Sequence, residues 1–238
     1  MQTAVSVKSP AIEVQIEVDQ RLRMDQRLYD LIVAEAKEFA AAQRKQAEGE
    51  WRKDRTMFRH GPWSFERGYS FDAAAGPYIS VSMLEYTNTG GAHPNHRTTR
   101  LLWDREQGRR GSIGALFHET KPGGPALTKL AVLIREEVAK EKRERGADVQ
   151  TPLEKDEWLS AIKPDLKTMG EPGLVASTIE GKAAGIDFHF SPYDVGSYAE
   201  GDYSAFVPWR ALEPLLTEKA RDWFGGERAD TPAQEQKP

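Results

Sequence analysis

An α+β protein with mainly antiparallel sheets and packed helices is the fold class the sequence predicts, on three observations. Several segments alternate apolar and polar residues with period two, as half-buried strands do. Two longer segments carry apolar residues at helical spacing. The segments come in runs (strand, helix, strands, helices, strands, helix) and lack the strict alternation of a doubly wound parallel sheet.

In AIEVQIEVD the residues Ile12, Val14, Ile16 and Val18 alternate with Glu13, Gln15 and Glu17, which predicts a first strand with one buried face. From Asp25 the spacing of Leu28, Leu31, Ile32 and Phe39 predicts an amphipathic helix ending near Gly49. WSFERGYSF and YISVSMLEYT predict two strands with AAAGP as the turn between them, and RTTRLLWD predicts a hairpin partner for the second. Beyond the break at KPGGP, Leu127, Leu130, Ile134 and Val138 define a helix with one buried stripe. Its end, KEKRERG, places basic residues at the negative end of the helix dipole. Trp158 and Ile162 mark a short helix, LVASTIEG and GIDFHFS a strand pair, and YSAFVPW a last strand leading into RALEPLL. The polar end of the chain, with two prolines in GGERADTPAQEQKP, is expected to be disordered.

A chain of 238 residues is long enough for one or two domains. Its 33 basic and 37 acidic residues give a net charge of −4 with no long basic tract, which argues against nucleic acid as a partner. No apolar run approaches the ~20 residues of a membrane span. The absence of cysteine removes disulfides, thiol nucleophiles and cysteine-ligated metals. The first residues, MQTAVSVKSP, lack the basic start and apolar centre of a signal peptide.

Two stretches concentrate the chemistry. In YTNTGGAHPNH, Gly90 and Gly91 are expected to adopt positive backbone angles or to permit close approach, so that Gly91→Val should lower stability. His93 and His96 flank Pro94 and Asn95, but a zinc site needs at least three protein ligands and only distant histidines such as His60 or His189 offer a third. A shaped loop without metal is the reading adopted. In DFHFSPYDVGSYAEGDYSAFVPW, alternation assigns Phe188 and Phe190 to the core and His189 to the other face. The following SPYDVGSYAEG combines tyrosines with rigid turns, which suits a binding surface and equally a tyrosine-pinned loop supporting the sheet. Acidic neighbours such as Asp187 with Asp194, or Glu200 with Asp202, do not establish an acid–base pair from sequence proximity alone.

Both stretches resemble one known family. YTNTGGAHPNHRTTRLLWDREQG, then SIGALF, and later GIDFHFSPYDVGSYAEGDYSAFVPWRAL are similar to the extracytoplasmic part of lysozyme-responsive anti-sigma factors of the RsiV type. They are also similar to the non-catalytic domain preceding the catalytic domain of PdaC-type peptidoglycan deacetylases. The likeness runs over roughly residues 11 to 217, with departures at Asn88, Thr89, His189 and Asp194. It implies two consecutive, closely packed α+β modules: a PdaC-like module over 11–108 and an RsiV-like module over 109–217, followed by a disordered tail over 218–238. It further implies an extracytoplasmic place, periplasmic or lipid-anchored, with residues 1–10 as the remnant of a leader or anchor. The expected function is an envelope binding module for a lysozyme-like protein or a peptidoglycan fragment, with no catalytic residue, no metal and no cofactor. Gly90, Gly91, His93, Pro94, Pro192, Tyr193, Asp194 and Tyr198 are the candidate ligand-binding residues. The alternatives are an envelope glycan or ester hydrolase using His93 with carboxylates, and a structural accessory protein.

Overall fold

A computed structural model describes residues 1–229 and is α+β. The chain forms two compact units. The first contains Met1–Phe71 and Val81–Arg110; the second contains Asp72–Ser80 and the chain from Gly111 onward.

The first unit is built on a six-stranded sheet whose neighbours follow chain order: β1 (Gln2–Lys8), β2 (Ile12–Val18), β3 (Trp63–Ala75), β4 (Tyr78–Asn88), β5 (Asn95–Asp104) and β6 (Arg109–Arg110). Residues 1–10 are therefore not a remnant outside the module, since residues 2–8 pair antiparallel with β2. Val5 and Val7 lie opposite Ile16 and Val14, an alternation too short to stand out in the sequence. In β2, Ile12, Val14, Ile16 and Val18 are all buried, as their spacing predicts.

Helix α1 (Gln26–Lys53) follows and packs against β1 and β2. It is also the crossover that lets β3 pair in parallel with β2, in register Ile12 to Trp63. This parallel pair contrasts with the antiparallel pairs β1–β2 and β5–β6. The start of α1 is fixed by Asp25, whose carboxylate accepts the backbone N–H of Arg27 and Leu28 and the indole N–H of Trp103 on β5 at 3.1 Å. The Arg27 guanidinium beside it, helped by these N–H donors against the opposing effect of burial, holds Asp25 at about 2. The helix does not stop at Gly49 but continues to Lys53, where Asp54 takes over as the cap of the next turn. Trp51 then meets Phe58 edge-on, and Phe58 stacks on Trp63, so aromatic packing carries the chain past the glycine.

The second unit is organised by a three-stranded antiparallel sheet in the order β7 (Glu171–Ala176), β8 (Ala183–Phe190), β9 (Tyr203–Pro208). Helix α2 (Pro125–Glu144) packs on β9 with Leu127, Leu130, Ile134 and Val138 buried, as their periodicity predicts. Phe188 and Phe190 are core residues of β8. The segment expected as one short helix around Trp158 is two single turns, Leu153–Lys155 and Leu159–Ala161. Asp156 between them accepts the backbone N–H groups of Gln150, Trp158 and Leu159. Burial would raise its pKa, but these three donors outweigh that effect and lower it.

The alanines expected in the first hairpin turn extend β3 to Ala75, and the turn shrinks to Gly76 and Pro77. Within the second unit this tip is tightly held. Ser80 Oγ donates to Asp72 and accepts from the Leu174 N–H, while a Cβ at Gly76 would sit 2.5 Å from the Trp223 ring. The end of the chain also departs from expectation. After α3 (Trp209–Leu212), residues Glu218–Arg221 form α4, Phe224 is buried, and the Trp209 indole donates to the Gly226 carbonyl. Disorder from residue 218 is thus corrected as far as 229, because backbone bonds such as Thr178 N–H to Glu227 O compensate for a polar composition. Residues 230–238 lie outside the described residues.

Gly49 lies inside α1 with nothing within 4 Å of where a Cβ would stand. Gly49→Ala is expected to raise stability by about 0.5–1 kcal/mol, measured by urea unfolding, because alanine loses less backbone entropy in a helix.

Candidate functional site

The eight candidate residues fall into two groups, one in each unit. In the first unit, residues 89–94 connect β4 to β5 and are exposed. Asn88 turns its side-chain oxygen back to accept the Gly90 N–H at 3.0 Å, and Gly90 takes φ +86°. The backbone of Gly91 is not left-handed, and a Cβ there would meet only the His93 carbonyl at 3.8 Å. The conformational demand expected of both glycines therefore rests on Gly90 alone. His93 Nδ1 donates to the Pro94 carbonyl at 2.9 Å, which closes the loop locally. His96 is already in β5 with its ring 5.6 Å from that of Tyr86. Among the described residues no group of three or more His, Asp or Glu side chains is placed to hold a metal ion.

In the second unit, Pro192, Tyr193, Asp194 and Tyr198 come together in the loop leaving β8. The Ser191 N–H donates to the Asp194 carboxylate at 2.9 Å, the Asp194 N–H donates to the Ser191 carbonyl, and the Tyr193 N–H donates to the Gly196 carbonyl. This tight turn buries Pro192 and leaves Tyr193 59% exposed, its ring 5.8 Å from that of Tyr198. Tyr193 has φ +74°, and it is the one residue other than glycine with a positive φ among those described. Holding a tyrosine there costs about 1–3 kcal/mol, so the surroundings must impose it.

The surroundings are supplied by the last turn of α2. Lys142, one of the basic residues the sequence places at the negative end of the helix dipole, is 2% exposed. Its ammonium donates to the Val195 carbonyl at 2.9 Å and to Glu200 Oε2 at 2.6 Å, and lies 4.5 Å from the centre of the Tyr203 ring. Glu200 Oε2 also accepts the Tyr203 hydroxyl at 2.8 Å, while Oε1 accepts the N–H and hydroxyl of Ser197. One turn on, Arg145 donates to the carbonyls of Glu200 and Asp202. Gly196 sits against this cluster, where a Cβ would lie 3.0 Å from Glu200, Lys142 and Tyr203 alike. Burial would push the Glu200 carboxyl up, but the bonds from Lys142, Ser197 and Tyr203 outweigh it and hold the group at about 2. Burial and the Glu200 carboxylate push Tyr203 up to about 12. A signal for Lys142 was present in the sequence: it stands four residues after Val138, on the continuation of the buried stripe.

Two expectations follow from this geometry. Gly90→Ala should cost about 1 kcal/mol in chemical unfolding, whereas Gly91→Ala should change stability by under about 0.5 kcal/mol. The Glu200 pKa, about 2 when folded, lies below the ordinary 4.5, so its contribution is complete above about 4.5 and is lost as the pH falls toward about 2. Glu200→Gln should therefore lower stability by roughly 2 kcal/mol near neutral pH. Unfolding curves of the variant and the parent should draw together as the pH falls below about 4.5 and converge only toward about pH 2.

Comparison with known proteins gives a consistent picture. Residues 3–96, under half of the chain, match the family model described as deacetylase PdaC. No curated protein matches. A DUF3298 family member from Bacteroides fragilis is similar in structure at TM-score 0.56, with 16% identity over 91% of this chain and 93% of that one. A DUF3298 family protein from Pseudomonas aeruginosa matches at TM-score 0.50, with 15% identity over 95% and 94%. At such identities the likeness is one of fold. The chain thus has the fold of DUF3298 structures over nearly its whole length, and its first part is similar to the PdaC family.

Proposed function

We propose that the protein is a non-catalytic binding module of the bacterial envelope, placed outside the cytoplasm, whose Pro192–Tyr193 loop recognises a lysozyme-like protein. The observation that carries this reading is Tyr193: exposed, left-handed in φ, and presented by a loop fixed from below by Lys142 and Glu200. A rigid loop with an outward aromatic ring loses little entropy on binding and suits insertion into a concave cleft. The net charge of −4 favours a basic partner. The similarity of residues 3–96 to PdaC supports the extracytoplasmic placement. Among the described residues no helix is long and apolar enough to cross a membrane. A peptidoglycan-derived ligand is the second reading, favoured by a shallow groove in the first unit lined by Ser64, Glu66, Tyr86, Thr87, Asn88 and Pro94.

Tyr193→Gly separates recognition from scaffolding. Glycine tolerates the positive φ without strain, so the variant should melt at or above the temperature of the parent while its affinity for lysozyme in calorimetry falls at least roughly tenfold. A loss of stability with unchanged affinity would make the loop a scaffold. Absence of heat with any of a panel of lysozymes would remove the proposed partner.

A further inference from the structure

At the end of α1 the chain reads WRKDRTMFRHGP over residues 51–62, with the basic side chains of Arg52, Lys53, Arg55 and Arg59 against the single acidic one of Asp54. Phe58 is buried between Trp51 and Trp63, whereas Arg52 to Met57 and Arg59 to Gly61 are exposed. Arg52 and Lys53 have the ordinary role of cations at the negative end of a helix dipole: Arg52 Nε donates to the Glu48 carbonyl and Lys53 pairs with Glu50 at 2.8 Å. Arg55 and Arg59 lie beyond the helix, in and after the turn Arg55–Phe58, and neither is ion-paired among the described residues. The Arg55 guanidinium lies 5.6 Å from the centre of the Trp51 ring, and Arg59 Nε donates to His60 Nε2 at 2.9 Å. The Asp54 carboxylate is turned to Thr56, whose N–H and hydroxyl it accepts at 2.8 and 2.6 Å. Between the two arginines in sequence, Met57 is 45% exposed. The glycine loop lies against this turn, since a Cβ at Gly90 would sit 3.5 Å from the Met57 carbonyl, and residues 89–95 add no acidic side chain.

We propose that this end of the first unit docks on an anionic phospholipid surface, with Arg52, Lys53, Arg55 and Arg59 at the level of the phosphates and Met57 entering the interface among them. Charge complementarity selects the surface and the orientation. The stretch carries +3 in a chain of −4, which leaves −7 for the rest, so attraction to an anionic bilayer is confined to this end. Each Lys or Arg near such a surface strengthens binding about fivefold. The side chains also choose among anionic partners. The centre of a protein interface is a cluster of apolar anchors, whereas here one exposed apolar side chain stands among cations. A nucleic acid extends well past so short a basic stretch and meets the negative remainder of the chain. A bilayer asks for no pocket on the protein. It needs cations at the headgroups and a side chain that adapts to a disordered surrounding, as the unbranched thioether of Met57 does.

The proposal is independent of the recognition loop in the second unit, and Tyr193→Gly should bind lipid like the parent. The test is cosedimentation of the whole chain with vesicles of phosphatidylcholine alone and with vesicles containing about one-third phosphatidylglycerol. Binding is expected to the anionic vesicles only, and to be lost in about 0.5 M salt. Changing Arg55→Gln and Arg59→Gln together should weaken it at least roughly tenfold, while Lys129→Gln with Lys140→Gln, both exposed on α2, should leave it unchanged. Met57→Ser should weaken it roughly fivefold. The altered side chains are exposed, so melting temperatures should match the parent. Equal binding to neutral and anionic vesicles, or parental binding by the double arginine variant, would overturn the site. Parental binding by Met57→Ser would show charge contact without insertion, and would overturn the bilayer as the occupant in favour of a soluble polyanion.

Discussion

An ammonium as buried as that of Lys142, 2% exposed, needs partners, and the partners it takes fix the candidate binding loop of the second unit. Desolvating an ammonium costs several kcal/mol, and only well-placed acceptors offset it. Val195 O and Glu200 Oε2 are those acceptors, and each lies in the loop between β8 and β9. Glu200 in turn has all of its bonding capacity engaged by Lys142, Tyr203 and Ser197. A movement of the loop would strip a buried ammonium of its acceptors, so these bonds oppose such a movement. That is how φ +74° at Tyr193 is maintained in a chain segment facing solvent.

The first unit uses a carboxylate in a comparable way. Asp25 caps α1 and at the same time receives the Trp103 indole from β5, joining the helix start to a strand far along the chain. With that end fixed, α1 covers one face of the sheet and leaves the other to the polar row of Glu13, Gln15, Ser64 and Glu66. In both units the rigid part is a helix terminus bonded to a distant segment. The exposed aromatics, Tyr86 and Tyr193, are displayed on frameworks whose order does not depend on them. Function located on such displayed side chains can change while the framework persists, in keeping with a fold shared at 15–16% identity.

The sequence by itself determined most of the elements: the buried faces of β2 and α2, the core positions of Phe188 and Phe190, and the grouping of Pro192, Tyr193, Asp194 and Tyr198 in one loop. These rest on local periodicity and turn chemistry, which act over a few residues and are written in the order of the chain. Only the tertiary structure decided the parallel pairing of β2 with β3, the ordering of the chain through residue 229, and the choice of Gly90 over Gly91 as the glycine with positive φ. It also decided that Lys142 is a buried pin, since its partner Glu200 is 58 residues away. A charged side chain reveals its role by what desolvates it and what bonds it, and both are set by segments that meet only when the chain has folded.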